Sequence, residues 1–155
     1  MRHRLTRFTI GALVVGLLAM PAVQAQGGRA PADLVEQRQG RMKALGGAMK
    51  TLTGFSKGEG QAPDAAKAAG VLAAAGKAMP GWWPRGTAVG VGDSEAGPAI
   101  WTDANGFKQR LAAFASASAQ MDAAAKTGDA VKVGGALRVV GGSCKGCHDE
   151  YRIKK

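Results

Sequence analysis

Aromatic residues are scarce in this 155-residue chain: three tryptophans, one tyrosine and four phenylalanines make 5% of it. Histidine and cysteine are scarcer, at two of each. No run of alternating β-branched residues appears, so the periodicity expected of a half-buried sheet is missing. Apolar runs are short as well; the stretch from Phe8 to Met20 falls below the roughly 20 residues of a comfortable membrane span. Acidic side chains are outnumbered, 11 against 21 basic ones, for a formal net charge of +10. What the chain has in quantity is alanine and long-chain residues, the composition of a helical protein.

The amino terminus carries an address. Arg2, Arg4 and Arg7 precede the apolar stretch, and Pro21-Ala22-Val23-Gln24-Ala25 then places small residues for cleavage after Ala25. A charged, an apolar and a small-residue region in that order read as a secretory signal. Residues 1–25 are therefore expected to be a cleaved signal peptide that delivers the chain to a bacterial periplasm, an uncleaved anchor being the alternative. Residues 26–155 then form one domain, enough for one modest core. Cleavage removes three arginines and lowers the formal charge to +7. Basic residues are scattered singly and aromatics are few, so with an export signal no nucleic-acid partner is expected. The charge serves solubility, with some steering toward an acidic redox partner.

Four helical segments follow from the pattern. Pro31-Ala32-Asp33 suits a helix start, and Leu34, Met42, Leu45, Met49 and Leu52 form one stripe before Gly54 and the Lys57–Gly60 stretch. Pro63-Asp64 opens a second helix running to about Met79, stopped by Pro80-Gly81. Residues 80–99 read as a long surface connection anchored by Trp82 and Trp83. Ile100-Trp101 leads into a third helix with Asp103 near its first turn and Ala104, Phe107, Leu111, Phe114, Ser118 and Met121 on its inner face. Asp129 caps a fourth helix, where Val133, Leu137, Val140, Cys144, Cys147, His148 and Tyr151 share a stripe. Four such helices make an all-α, antiparallel up-and-down four-helix bundle able to house a cofactor. Paired glycines at 46–47, 134–135 and 141–142 fall inside these helices, at about 1 kcal/mol each relative to alanine. Two explanations stand: room for a flat cofactor, or a glycine-rich composition.

Cys144-Lys145-Gly146-Cys147-His148 is a C-x-x-C-H run, the spacing of covalent c-type haem attachment. Two thiols form thioethers with the porphyrin vinyl groups, and the adjacent imidazole binds the iron. Helical residues turn by about 100° each, so Cys144 and Cys147 lie about 60° apart with His148 about 40° to the other side of Cys144, all on one face. Zinc would be left with three ligands and no second pair. A thioredoxin-like pair would want a preceding strand, and a structural disulfide is the remaining alternative in an exported chain. One haem c, held through Cys144 and Cys147 and ligated by His148, is the expected cofactor.

The run from Gly142 to Arg152 resembles the haem-binding end of class II c-type cytochromes, the cytochrome c prime family. Ile100-Trp101-Thr102-Asp103 with Phe107-Lys108 is similar to the start of that family's third helix, and Asp33-Leu34-Val35-Glu36 with Arg38-Gln39 and Met42-Lys43 to its first. The resemblance implies a four-helix bundle with the attachment motif near the carboxy terminus. It also implies two functional branches, separated at one first-helix position that corresponds to Met42. In the low-spin branch a methionine there is the sixth iron ligand and the protein transfers electrons. In the high-spin branch an apolar side chain covers an open distal face that binds nitric oxide or carbon monoxide.

Methionine at Met42 implies the carrier, a one-electron protein with His148 and Met42 as axial ligands and no substrate to transform; gas binding is the alternative. On spacing alone Met42 also fits core filling, as Met49 does. Arg38, one turn earlier, matches a family arginine that pairs with a haem propionate, a solvated surface position being the alternative. A peroxidase would need a distal acid–base group, and no second histidine remains in residues 26–155, so no enzyme activity is expected. The expected partners are periplasmic or membrane-bound redox proteins, with a homodimer left open beside the monomer.

Overall fold

A computed structural model describes residues 28–154; the expected signal peptide, residues 1–25, lies outside them. Four long helices carry the fold: α1 (Pro31–Ser56), α2 (Ala62–Ala78), α4 (Ala104–Lys126) and α5 (Ala130–Tyr151), with the one-turn α3 (Ala99–Thr102) between α2 and α4. α1 packs on α2, α2 on α4, α4 on α5, and α5 returns to α1, closing a four-helix ring. Among the described residues there is no strand, only an isolated antiparallel bridge between Ala96 and Arg152. No described helix is long and apolar enough to cross a membrane.

Local chemistry sets the helix ends. Pro31 and Asp33 occupy the first turn of α1, and Pro63 and Asp64 that of α2, where a missing N–H costs nothing and a carboxylate meets the positive end of the dipole. The Asp129 side chain accepts from the Val131 and Lys132 N–H groups at 2.9 and 3.1 Å and so caps α5. Gly128, at φ +68°, makes the tight turn before it.

Leu45, Leu52, Phe55, Leu72, Phe107, Phe114, Met121, Val133 and Val140 form the centre of the core. The α2 face is nearly all alanine, with Ala65, Ala68, Ala69 and Ala75 buried beside Leu72. These short side chains let α2 approach α4 closely. At Gly76 an added Cβ would lie 3.0 Å from the Ala115 Cα and 2.5 Å from Ser118 Oγ.

Three features differ from the sequence expectation. First, Asp103 breaks the third helix in two and caps α4, its side chain accepting from the Gly106 N–H at 3.0 Å; Ala104, at the capped end, is exposed rather than inward-facing. Second, the connection after α2 begins as a 3-10 turn over Met79–Trp82 and, although residues 84–86, 89 and 90 are exposed as expected, parts of it are pinned inside the bundle. Thr87 and Ser94 are fully buried, as is most of Ala96, because polar groups of the bundle supply hydrogen bonds that a loop would otherwise take from water. Third, the glycine doublets split in role: Gly46 and Gly141 line the main cavity, whereas Gly47, Gly135 and Gly142 do not and face open space.

Candidate haem site

The C-x-x-C-H run occupies the last two turns of α5. Cys144 and Cys147 are free thiols, half-buried against the core, and His148 lies at the mouth of the same cavity. That cavity measures about 810 Å³ and runs between α1, α4, α5 and the buried loop. Leu45, Met49, Ile100, Phe107, Leu111 and Phe114 supply much of its apolar wall. Met42, half-buried on α1, faces the same space, as do Met49 and the buried Met79. Met121, fully buried in the core, is not part of the lining.

The burial of the thiols argues against one of the sequence alternatives, the redox-active pair. Burial pushes the Cys144 thiol up, and burial followed by the neighbouring Cys144 raises Cys147 to about 11. A redox-active C-x-x-C needs the opposite, a thiol lowered toward neutrality so that thiolate is available. Partial burial, and then the positive charge of Arg152, pull His148 below the ordinary histidine value. That shift favours the neutral imidazole, the form that binds metal.

Arg38 is buried at 5% exposure, which rules out a solvated surface position. Its Nη1 donates to Thr87 Oγ1 at 2.8 Å and makes a long 3.5 Å contact with the Trp82 carbonyl. Nη2 donates to the Thr87 carbonyl at 2.8 Å and to Ser94 Oγ at 3.0 Å. The residue lines the cavity, but both terminal nitrogens already hold the loop. Gln39 adds a bond from Nε2 to the Asp93 carbonyl at 2.7 Å.

The carboxy terminus fastens the loop from the other side. Gly97 N–H donates to the Tyr151 carbonyl and Ile153 N–H to the Glu95 carbonyl, each at 2.8 Å, while Arg152 Nε donates to Glu95 Oε2 at 2.6 Å. Tyr151 lies edge-on to Phe107, with centroids 5.0 Å apart. Its hydroxyl donates to Asp103 Oδ2 at 2.6 Å. That bond lowers the Asp103 carboxyl, with help from the Gly106 N–H, and raises Tyr151 to about 12.

Two lining residues were not expected at the site: Arg110 carried no sequence signal, and Trp83 was expected only as an anchor of the connection. Arg110 of α4 pairs with Glu150 and lies over Gly146, where an added Cβ would meet its guanidinium at 3.4 Å. Trp83 places its ring at 89° to Phe107, centroids 5.2 Å apart, with the Arg38 guanidinium 4.8 Å from its centroid. Its Nε1 is buried with no hydrogen-bond partner among the described residues. An indole N–H can only donate, and leaving one unpaired costs about 1–3 kcal/mol.

The chain matches the family model described as Cytochrome C' over residues 33–152. It belongs to the cytochrome c' family. Cytochrome c-554 of Cereibacter sphaeroides is 40% identical over 92% of this chain and 95% of the relative. Cytochrome c' of Pararhodospirillum photometricum is 39% identical over 79% of this chain and 98% of the relative. Cytochrome c' of Rubrivivax gelatinosus, solved by crystallography, is 33% identical and superposes with a TM-score of 0.73 over 80% of this chain and 98% of its own. The fold is thus the cytochrome c' four-helix bundle, and the cofactor is one covalent haem c.

The residues present fit that group on their own chemistry. Two neutral thiols and a neutral imidazole, all on one helix face, border an apolar slot large enough for a flat macrocycle. Cys144 and Cys147 would hold the haem edge and His148 would serve the iron, against a largely apolar wall. At Gly46 and Gly141 the neighbouring helices α1 and α5 present no side chain to that slot.

Proposed function

We propose that this cytochrome c' family member is a periplasmic one-electron carrier in which Met42 is the second axial ligand, opposite His148. One observation carries the reading: the Met42 thioether lines the cavity that Cys144, Cys147 and His148 also line. The haem supplies a ferric/ferrous couple. His148 gives a nitrogen ligand and Met42 a soft sulfur, a pair that favours the ferrous state and raises the potential. Leu45, Phe107 and Phe114 keep the slot apolar, which limits reorganisation around the changing charge. The carrier transforms no substrate, and its partners are redox proteins of the periplasm or its membrane.

A second reading is an open distal face that binds nitric oxide or carbon monoxide. The comparisons support this more directly than the carrier: solved variants of Alcaligenes xylosoxidans cytochrome c prime hold nitric oxide and carbon monoxide. Another solved cytochrome c' shows ligand-controlled dimer dissociation, which supports a homodimer here too. Sedimentation velocity of the reduced holoprotein, with and without carbon monoxide, measures that.

The absorption spectrum of the purified ferric holoprotein tests the main reading. A low-spin spectrum with a methionine-to-iron charge-transfer band is expected, lost in Met42→Ala together with a fall in midpoint potential. A high-spin wild-type spectrum, with carbon monoxide binding equal to that of Met42→Ala, would sink the carrier and leave the gas-binding reading.

A further inference from the structure

The cavity opens along the seam between α1 and α5. At one end of that seam the helices touch, an added Cβ at Gly134 meeting Ser56 Cβ at 3.6 Å. Further along lie the two cavity-lining glycines, the exposed Gly46 of α1 and the half-buried Gly141 of α5. Neither places a side chain over the opening. Exposed Lys43 and His148 line the same cavity from the two helices.

Basic residues frame this opening. Lys43 and Lys50 stand three before and four after Gly46, and Arg138 and Lys145 three before and four after Gly141. Residues at those spacings are neighbours on a helix surface, so each glycine is bracketed by two cations. All four are exposed. Among the described residues only Lys145 has a carboxylate partner, Asp149, and Arg138 donates only to the Gly134 carbonyl. Four positive charges thus meet one negative charge. The other acidic side chains near the cavity lie toward its loop end: Asp93, Glu95 paired with Arg152, and Glu36 two turns before Lys43. A one-sign field at an opening draws partners of the opposite sign.

We propose that the α1–α5 seam is the docking surface for an acidic redox protein, which exchanges its electron through the opening beside Gly46 and Gly141. The missing side chains shorten the path through protein, and the four cations hold a carboxylate-rich face over it. The inference rests on the electron-carrier reading and locates where that carrier meets its partner. An anionic membrane would also suit a basic face, but a lipid headgroup has no use for an opening onto the cavity.

The test follows oxidation of the ferrous, haem-loaded protein by ferricyanide in stopped flow, one electron converting ferricyanide to ferrocyanide. Its negative charge stands in for the partner's carboxylates. Lys50→Glu with Arg138→Glu should slow the reaction about tenfold at low ionic strength and flatten its salt dependence. Lys67→Glu with Lys77→Glu, at exposed α2 positions and with the same change in net charge, should slow it far less. Poly-L-glutamate should inhibit wild type and the α2 pair but not the seam pair. Equal slowing by both pairs overturns the proposal, because net charge alone then explains it. Unchanged ferricyanide rates in the seam pair, with lost binding to phosphatidylglycerol vesicles, overturn it in favour of a membrane. If the seam pair fails to load haem, Lys50→Gln against Lys67→Gln makes the same comparison. Failure of the carrier reading shows separately, as a high-spin wild-type spectrum.

Discussion

Arg38 shows how much a single side chain does here. Its four contacts tie α1 to three points of the loop, and all four acceptors are neutral oxygens. Burial pulls its pKa below arginine's ordinary value, with no change of charge at working pH. A lysine keeps the charge but lacks the planar fork that reaches Thr87 and Ser94 together. Arg38→Lys should therefore cost about 2 kcal/mol, since a buried charge-assisted bond is worth about 1.5–3 kcal/mol. Urea unfolding of the holoprotein measures this. Cys144, Cys147 and His148 were legible from spacing alone, because attachment needs contiguous groups on one helix face. Trp83 was not, because an orphaned N–H exists only once its neighbours are in place.

Among the helices, the α2–α4 contact leaves the least room. Gly76→Ala would gain about 1 kcal/mol of helix propensity. The new Cβ would press on the Ala115 backbone, and overpacking of this kind costs about 1–3 kcal/mol. The loss wins, so Gly76→Ala should lower the unfolding midpoint despite being the better helix former. The start of α4 carries a pH dependence. Asp103 is held below its ordinary value by Tyr151 and the Gly106 N–H. A carboxyl depressed in the folded state stabilises it above the unfolded pKa, and that contribution disappears as pH falls through the folded pKa. The stability gap between wild type and Asp103→Asn should be widest near neutral pH and close as pH falls below the ordinary carboxylate range, as read from urea midpoints at each pH. The periodicity of α1, α2 and α5 was legible, since each has one apolar stripe and a proline or aspartate at its start. The break at Asp103 was not, since its side chain caps only after the chain has turned.

For the whole molecule, the haem is part of the core. Left empty, a slot of about 810 Å³ would fill with water against the apolar wall that Leu45, Phe107 and Phe114 help to form. The bundle is therefore expected to depend on its cofactor to keep this shape. A Cys144→Ser, Cys147→Ser double variant should lose haem on denaturing electrophoresis. Its near-ultraviolet circular dichroism should collapse while much of the helical signal survives. Retention of a sharp thermal transition at the wild-type temperature would contradict this.

Helix content, the order of four amphipathic segments and the haem-attachment triad were determined by the sequence alone, because each depends on residues within a few turns of one another. The burial of Thr87, Ser94 and Ala96, the commitment of Arg38 to Thr87 and Ser94, and the unpaired Trp83 N–H were decided only by tertiary structure. Each joins groups some 20 to 70 residues apart, and no local periodicity encodes such a meeting. Met42 stands between the two: its stripe was visible in the sequence, but only the closed bundle brings its thioether to the cavity that His148 faces.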